Sequence, residues 1–283
     1  MTNKTIDQLD ALASIASDTV LMAAAAASDT IKRTTVGSLT TYLEGVLPSG
    51  GAEVLTADRT YYVRTDGSNS NTGLANTSGG AFLTIQKACN VVASLVTAGF
   101  FVTINIADGT YSETVQASFP LSSTTVSIVG NTTTPGNVIV DNFQVLIGKV
   151  YAAGFESLDS VQASYGAYVN AEFFRAIGIS CDFSGSADIG DWTQTGDGLV
   201  ASRVNSSLTL YGTTTISGTP AYTQQFAYAA DCGVITAVGS FSGSATGQRY
   251  LVSRNGVIYT GGAGATYFPG NVAGVEETGG KYL

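Results

Sequence analysis

Histidine is absent from this chain of 283 residues. Histidine is the commonest metal ligand, and it is the usual base that activates serine and cysteine nucleophiles. Its absence excludes enzymes with Ser-His or Cys-His nucleophile systems and argues against a transition-metal site. We therefore expect neither a metal nor a cofactor.

Positive charge is also scarce. Lysine and arginine together number 12 against 21 acidic residues, which gives a net charge of −9 without any basic run. Nucleic-acid affinity depends on clustered cations, so DNA and RNA are excluded as partners. Charged residues make up only 12% of the chain, about half the usual share. A surface of hydroxyl and amide groups with abundant glycine is typical of stacked β architectures.

Cysteine is rare, and long apolar runs are missing. Cys89, Cys181 and Cys232 are far apart and odd in number, without a CxxC pair, which predicts buried apolar residues rather than a disulfide framework or a zinc site. No apolar run reaches the roughly 18 residues that a membrane span needs, and no secretory leader opens the chain. We expect no membrane insertion, and synthesis and folding in a host cytoplasm.

The second half repeats one short phrase four times. In each copy a small or amide residue precedes an aliphatic one, and a strand rich in glycine and threonine follows. The copies are Ser164–Val169, Val204–Leu208, Ala230–Val234 and Arg254–Val257. The aliphatic residues Leu208, Val234 and Val257 follow one another at intervals of 26 and 23, as in a solenoid that adds one coil per repeat. The interval of 39 from Val169 to Leu208 predicts an inserted loop or a missed coil near residues 182–197.

The first half contains a different set of elements. The spacing of Leu39, Tyr42, Leu43 and Leu47 predicts a short amphipathic helix. The proline and glycines of residues 48–51 predict a domain boundary after it. A strand over Thr60–Arg64 and a loop over Asp66–Gly80 come next. A second helix follows, whose apolar face carries Ile85, Ala88, Cys89, Val92 and Leu95. Alternating strands separated by a turn at Asp108-Gly109 begin at Val102.

This entry region resembles a known fold. The stretch from Tyr62 to Ala88, with Asp108, Gly109, Tyr111 and Glu113 after it, is similar to the first coils of pectin-lyase-like parallel β-helices in phage spikes and pectin-active enzymes. The resemblance implies that the helix covers the open edge of the first coil. It also implies that residues 108–113 shape a turn rather than catalyse. In the loop, Asp66, Asn69 and Asn71 suit turns better than a calcium site.

Both ends of the chain resemble bacteriophage tail-fibre and tailspike proteins. The phrases Thr5–Leu9, Asp18–Leu21 and Lys32–Leu43 resemble the segment that docks such fibres onto the particle; the alternative is a small helical cap without a docking role. Residues 267–274 resemble the endings of phage fibres. Because the tail is rich in glycine and contains proline, we expect no further helix or strand in it, and a course over the last coil or a neighbouring subunit.

These patterns predict an all-β fold, a right-handed parallel β-helix with a capping helix. The predicted organisation is an attachment segment over 1–50, an entry strand, loop and helix over 51–100, the β-helix over 101–266 and a closing tail over 267–283.

Candidate chemistry lies in the irregular segment. Four aspartates, Asp182, Asp188, Asp191 and Asp197, surround Trp192, the only tryptophan. Glycoside hydrolysis needs two carboxyl groups, so Asp188 and Asp191 are the candidate catalytic pair. The candidate ligand contacts are Trp192, Asp182, Asp197 and Tyr211, because aromatic rings pack on sugars. The alternatives are solvated turn aspartates, and tyrosines that pack in the core or a subunit interface.

The resemblance implies a virion fibre or spike subunit on the surface of a tail or head. We expect a homotrimer that contacts other virion proteins through residues 1–47 and binds bacterial surface polysaccharide. One alternative is a depolymerase, either hydrolase or lyase, that uses aspartate carboxylates. Another is a structural connector or head-decoration spike without a ligand.

Overall fold

A computed structural model describes residues 19–22, 32–35 and 52–283. The chain divides into two units, Met1–Glu53 and Val54–Leu283, and each is described by itself. In the first unit the strands Thr19–Met22 and Lys32–Thr35 form an antiparallel pair. The helix expected over residues 39–47 lies outside the described residues.

The second unit is an all-β, right-handed parallel β-helix with a capping helix. Two large sheets form its walls, and all described strand pairs within them are parallel. We call the ten-stranded sheet sheet A. Its strands are Arg59–Val63, Val102–Ile106, Val126–Val129, Lys149–Ala153, Tyr168–Glu172, Ser186–Ile189, Ser207–Leu210, Val234–Ala237, Val257–Tyr259 and Lys281–Tyr282.

The thirteen-stranded sheet, sheet B, forms the rest of the wall. Its strands are Gly109–Ser118, Val138–Ile147, Glu156–Ser157, Ser160–Ala163, Phe174–Ala176, Gly178–Cys181, Trp192–Gln194, Val200–Arg203, Thr213–Ile216, Ala221–Ala230, Ser240–Ser242, Thr246–Val252 and Val275–Glu276. Two short strands, Glu53–Val54 and Leu95–Val96, and a 3-10 turn, Pro135–Asn137, lie outside both sheets.

Stacked aliphatic side chains from successive coils fill the core. One inward column of sheet A runs in register through Val102, Val126, Val150, Val169, Ala187, Leu208, Ile235 and Ile258. All of these side chains are buried. The predicted solenoid is confirmed, because each step along this column is one coil of 18 to 27 residues.

The long interval between Val169 and Leu208 contains a missed coil. Ala187 lies between these two residues in register, so residues 182–197 belong to an ordinary coil. The inserted-loop alternative is wrong. The spacing of aliphatic residues does not indicate this coil, because its inward position holds Ala187 where the neighbouring coils have the branched aliphatic residues Val169 and Leu208.

An aromatic column supports the inner side of sheet B. Phe143, Phe155, Phe174 and Trp192 stack in that order, with ring centroids 4.8, 5.8 and 5.6 Å apart. The indole N–H of Trp192 donates a 2.8 Å hydrogen bond to Thr214 Oγ1. Trp192 is therefore a core residue, with its one polar atom satisfied.

The repeated phrases form turns that stack on one another. Each turn places two consecutive residues in the left-handed region, at 165–166, 183–184, 204–205, 231–232, 254–255 and 278–279. The second residue of one turn donates its backbone N–H to the first residue of the next turn, as Ser184 does to Val204 at 2.9 Å. This ladder holds even β-branched Val204 at a φ of 55°, a conformation that such residues rarely adopt.

The capping helix, α1 (Ile85–Ala93), closes the first coils as predicted. Four residues of the expected face, Ile85, Ala88, Cys89 and Val92, are buried on the helix. The fifth, Leu95, is buried in the short strand Leu95–Val96 that follows it. Both carboxylate oxygens of Glu113 accept backbone N–H bonds from the first turn, from Ile85 at 2.7 Å and Gln86 at 2.9 Å. Asp108 accepts from Asn131 and Asn137. These contacts are consistent with the expected structural role of residues 108–113.

Side chains of the entry loop are engaged in local contacts. Asp66 pairs with Arg64 at 2.8 Å. Asn69 accepts from the backbone of Leu83 at 3.1 Å, and Asn71 donates to the carbonyl of Ala81 at 2.8 Å. The three residues considered for calcium thus act as turn and loop anchors here.

Two expectations about single elements are wrong. Cys89 and Cys181 are buried as expected, but Cys232 is exposed because it occupies a stacked turn. The C-terminal tail contains strands, since Val275–Glu276 pairs with Leu251–Val252 and Lys281–Tyr282 pairs with Val257–Ile258. The last coil offers unpaired backbone groups, and the tail satisfies them despite its glycine content.

We expect Glu113→Gln to lower the free energy of unfolding by about 1 kcal/mol, because a neutral amide loses the favourable interaction with the N-terminus of α1. Urea denaturation measures the change. Glu277→Gln is the control, because Glu277 is exposed and lies far along the chain from α1. Equal loss of stability in both variants would contradict the proposed helix contact.

Candidate functional site

The middle coils carry a group of large polar side chains on the outer face of sheet A. Side chains in a strand alternate between the two faces, so the residues between the core aliphatics point outward. We define the tyrosine–carboxylate cluster as Tyr151, Tyr168, Asn170, Glu172, Asp188 and Tyr211. Tyr151, Asn170 and Asp188 lie in one line across three adjacent strands.

Hydrogen bonds between coils connect this cluster. The phenol of Tyr151 donates to Glu172 Oε1 at 2.8 Å, and the phenol of Tyr168 donates to Asp188 Oδ2 at 2.7 Å. Tyr211 reaches back over two coils to Asn170 Oδ1 at 3.5 Å. Each carboxylate is thus held by a tyrosine from the preceding coil.

Gly190 makes room for the cluster. A Cβ atom at this position would lie 2.8 Å from Glu172 Cβ and 3.0 Å from the phenol oxygen of Tyr211. The first distance is shorter than real Cβ contacts allow. The missing side chain therefore lets the Tyr211 phenol lie next to Glu172.

The environment keeps the cluster phenols protonated. Partial burial, with the hydrogen bond to Glu172 second, raises the pKa of Tyr151 to about 12. Partial burial and then the hydrogen bond to Asp188 raise the pKa of Tyr168 to about 12. Burial, followed by the charge of Glu172, also raises the pKa of Tyr211. All three phenols remain neutral hydrogen-bond donors at physiological pH.

An open groove lies beside the cluster, where the chain turns from sheet A into sheet B. It has a volume of about 300 Å³, and its lining includes Phe173, Arg175, Asp191, Thr193, Thr213 and Thr215. Phe173 is 43% exposed and has a left-handed φ of 53°. Neighbouring coils hold this backbone, since Gly154 donates to the Phe173 carbonyl at 3.0 Å and the Phe173 N–H donates to the Asp191 carbonyl at 2.6 Å. Arg175 pairs with Glu156 at 2.9 Å. We call this feature the corner groove.

A second aromatic surface lies at the opposite end of the sheet A strands, where these strands begin. Tyr165 and Phe183 occupy successive stacked turns and are 66% and 52% exposed. Their rings are nearly parallel, at 3°, with centroids 5.3 Å apart. Exposed aromatic side chains therefore flank the tyrosine–carboxylate cluster at both ends of the sheet A strands.

The structure separates the residues that the sequence grouped as a site. Asp188 and Tyr211 belong to the cluster, but Asp191 lies at the corner groove, where its carboxylate accepts the Thr213 N–H at 2.7 Å. Asp188 and Asp191 thus have different hydrogen-bond partners, although the charges of both act on the phenol of Tyr211 and raise its pKa, after burial and the charge of Glu172. Trp192 is 3% exposed, so the expectation that its ring forms a sugar platform on an inserted loop is wrong.

The two remaining candidates have local partners. Asp182 forms an ion pair with Arg203 at 3.0 Å, and Asp197 accepts the backbone N–H of Thr223 at 3.1 Å. Their predicted ligand contacts stay predictions.

Sequence reasoning missed Glu172 and Asn170, and it did not group Tyr151 and Tyr168 with Asp188. The alternation Tyr168, Asn170, Glu172 in a strand would have placed three polar side chains on one face. No sequence pattern indicates that Tyr151 and Asp188 lie beside this strand, because their position depends on the number of residues in each coil.

Within the described part of the chain, no group of three or more Asp, Glu or Cys residues is placed to hold a metal ion. No described helix is long and apolar enough to cross a membrane.

Part of the chain matches a known protein family. Residues 65–154 match a family described as a protein of unknown function (DUF1565), which is commonly associated with parallel β-helix proteins. No curated protein and no solved structure shows significant similarity to the chain. Fold and family match together define the class of this protein, a parallel β-helix protein.

Tyr151 and Tyr168 should ionise only at strongly alkaline pH. Their folded pKa of about 12 exceeds the unfolded value of about 10, so the stability that they contribute is complete below pH 10 and lost as the pH rises through 12. Phenolate absorbance is titrated against pH in the wild type and in Tyr168→Phe. The difference between the two curves should have its midpoint near pH 12. A difference centred near 10 would contradict the assigned environment, and Tyr151→Phe gives an independent repeat.

Proposed function

We propose that this protein is a virion fibre or spike subunit that binds bacterial surface polysaccharide through the tyrosine–carboxylate cluster. The observation that carries the proposal is the cluster itself, three tyrosines interleaved with two carboxylates and an amide on the outer wall of the β-helix. A tyrosine offers a flat apolar ring with a polar hydroxyl at low entropic cost. Carboxylate and amide oxygens accept hydrogen bonds from sugar hydroxyls.

The surroundings of the cluster favour an extended ligand. Parallel strands about 4.8 Å apart give a continuous wall rather than a closed pocket. The aromatic pair Tyr165 and Phe183 lies where the sheet A strands begin, and the corner groove with Phe173 lies where they end. A polysaccharide chain has many similar units and fits a wall with several contact points better than a small molecule does.

Binding without cleavage is the function that this geometry supports better. The two carboxyl groups of a glycosidase flank one glycosidic bond and lie about 5–9.5 Å apart. Both carboxylates of the sequence-derived pair are engaged by the protein itself, because Asp188 accepts from the Tyr168 phenol and Asp191 from the Thr213 N–H.

The virion assignment rests on the resemblance of both chain ends to phage fibre proteins. The docking of residues 1–47 on other virion proteins and the homotrimeric state belong to this proposal. Trimerisation gives weak single sites a high combined affinity, because linked sites raise the effective concentration.

Replacing Tyr211 with alanine should weaken polysaccharide binding about tenfold, since contacts of an aromatic ring are worth up to about 1.5 kcal/mol and a tenfold change corresponds to about 1.4 kcal/mol. Tyr259→Ala is a matched control, because Tyr259 ends one sheet A strand, Tyr211 directly follows another, and the two are 46% and 44% exposed. Binding to purified bacterial capsule or O-antigen is measured by calorimetry. Equal effects of both changes would remove the cluster as the binding site. No binding by the wild type to any tested polysaccharide would favour the connector alternative.

Native mass spectrometry of the full chain should give a mass of three chains, because the proposed fibre is a homotrimer. The measurement is repeated over a dilution series to separate a stable trimer from weak association. A monomer at every concentration would contradict the trimeric fibre without affecting the proposed polysaccharide contact.

A further inference from the structure

We infer that the tyrosine–carboxylate cluster selects polysaccharides that carry protonated amino groups, such as sugars with a free amine, over neutral and acidic ones. This inference rests on the proposed function and names the chemical class of its ligand. Three features carry it: two carboxylates without a cationic partner, the net negative charge of the surrounding wall and the tyrosine rings.

The two carboxylates of the cluster have no cationic partner. Three other acids of these coils form ion pairs, Glu156–Arg175, Asp182–Arg203 and Asp231–Arg254, while Asp191 and Asp197 accept backbone N–H groups. Glu172 and Asp188 instead receive neutral phenol donors. Their two negative charges are therefore not neutralised by an ion pair within the described chain.

The wall around the cluster carries one cation, Lys149, which is exposed and lies in register with Tyr168. The next four sheet A strands, Tyr168–Glu172, Ser186–Ile189, Ser207–Leu210 and Val234–Ala237, contain neither lysine nor arginine. With two carboxylates against one lysine the wall keeps a net negative charge, which attracts an ammonium group and disfavours an acidic sugar.

Each carboxylate also keeps an acceptor for a ligand. Tyr151 uses Oε1 of Glu172, and Tyr168 uses Oδ2 of Asp188. The second oxygen of each group has no hydrogen-bond partner among the described residues. An ammonium group has three N–H donors and can reach such oxygens directly.

The tyrosine rings add a second attraction for a cation. The negative face of an aromatic ring binds ammonium groups, and this contribution is independent of the carboxylates. Tyr211 is 44% exposed, and the space above Gly190 lets its phenol lie next to Glu172. An amino sugar can therefore place its ring against Tyr211 and its ammonium group toward the carboxylates.

The test compares two sugars that differ only at the nitrogen. The probes are a fully deacetylated chitosan hexamer and the fully N-acetylated hexamer, titrated into the full-length protein by calorimetry at about pH 5, where amines are protonated and carboxylates ionised. We expect the deacetylated hexamer to bind about tenfold more tightly or better. The preference should shrink as the salt concentration rises, because screening weakens exposed charge interactions.

Variants that remove one negative charge each test whether Asp188 and Glu172 cause the preference for the deacetylated hexamer. Asp188→Asn and Glu172→Gln should each reduce affinity for the deacetylated hexamer about tenfold and leave the weaker binding of the acetylated hexamer nearly unchanged. Asp141→Asn is the matched control, since Asp141 is an exposed carboxylate on the strand Val138–Ile147 of sheet B. Circular dichroism checks that every variant is folded.

Each outcome decides between the two proposals. Equal affinity for both hexamers, or an equal loss in Asp141→Asn, overturns the amine preference. If the wild type binds a bacterial polysaccharide and loses it in Tyr211→Ala while ignoring the deacetylated hexamer, the amine preference is wrong and the proposed function stands. If no hexamer and no polysaccharide binds, both fail.

Discussion

The in-register stacking of one coil on the next is the constraint on which this protein depends. A single coil has an apolar inner face and free backbone groups on both edges, so it is unstable until a neighbour covers them. The column from Val102 to Ile258 and the ladder of backbone hydrogen bonds through the stacked turns supply that cover. Local irregularity, such as the left-handed φ of Val204 or Phe173, is tolerated because neighbouring coils hold it in place.

The same stacking creates the outer surface. Residues from different coils become neighbours about 4.8 Å apart, so Tyr151, Asn170 and Asp188 form one row although they are far apart in sequence. The phenol–carboxylate bonds between coils then fix the side chains of that row. A wall built this way is rigid, because its backbone is committed to the sheet, and its side chains vary without changing the fold. The proposed recognition of sugars uses this separation of a structural core from a variable face.

Much of the fold was predictable from local patterns. The face of α1, the entry strands and the repeat of the coils follow from periodicity, which depends on nearby residues only. The aliphatic positions were only partly right, because Val234 and Val257 are half-buried and the inward residues of their strands are Ile235 and Ile258. The errors share one cause. Ala187 is too small to mark its coil, Cys232 occupies a turn rather than a core position, and the tail forms strands because the last coil needs partners. In each case the deciding contact comes from another coil.

By itself the sequence determined that the chain forms a solenoid with an apolar interior and little positive charge, because these follow from composition and from short-range spacing; the cap on the first coil was implied by the resemblance to known β-helices. Only the tertiary structure decided that Trp192 lies in the core and that Glu172 and Asp188 share a surface with three tyrosines. The physical reason is that coil length varies between 18 and 27 residues. Which side chains meet across coils is therefore set by packing and register, not by any interval that can be read along the chain.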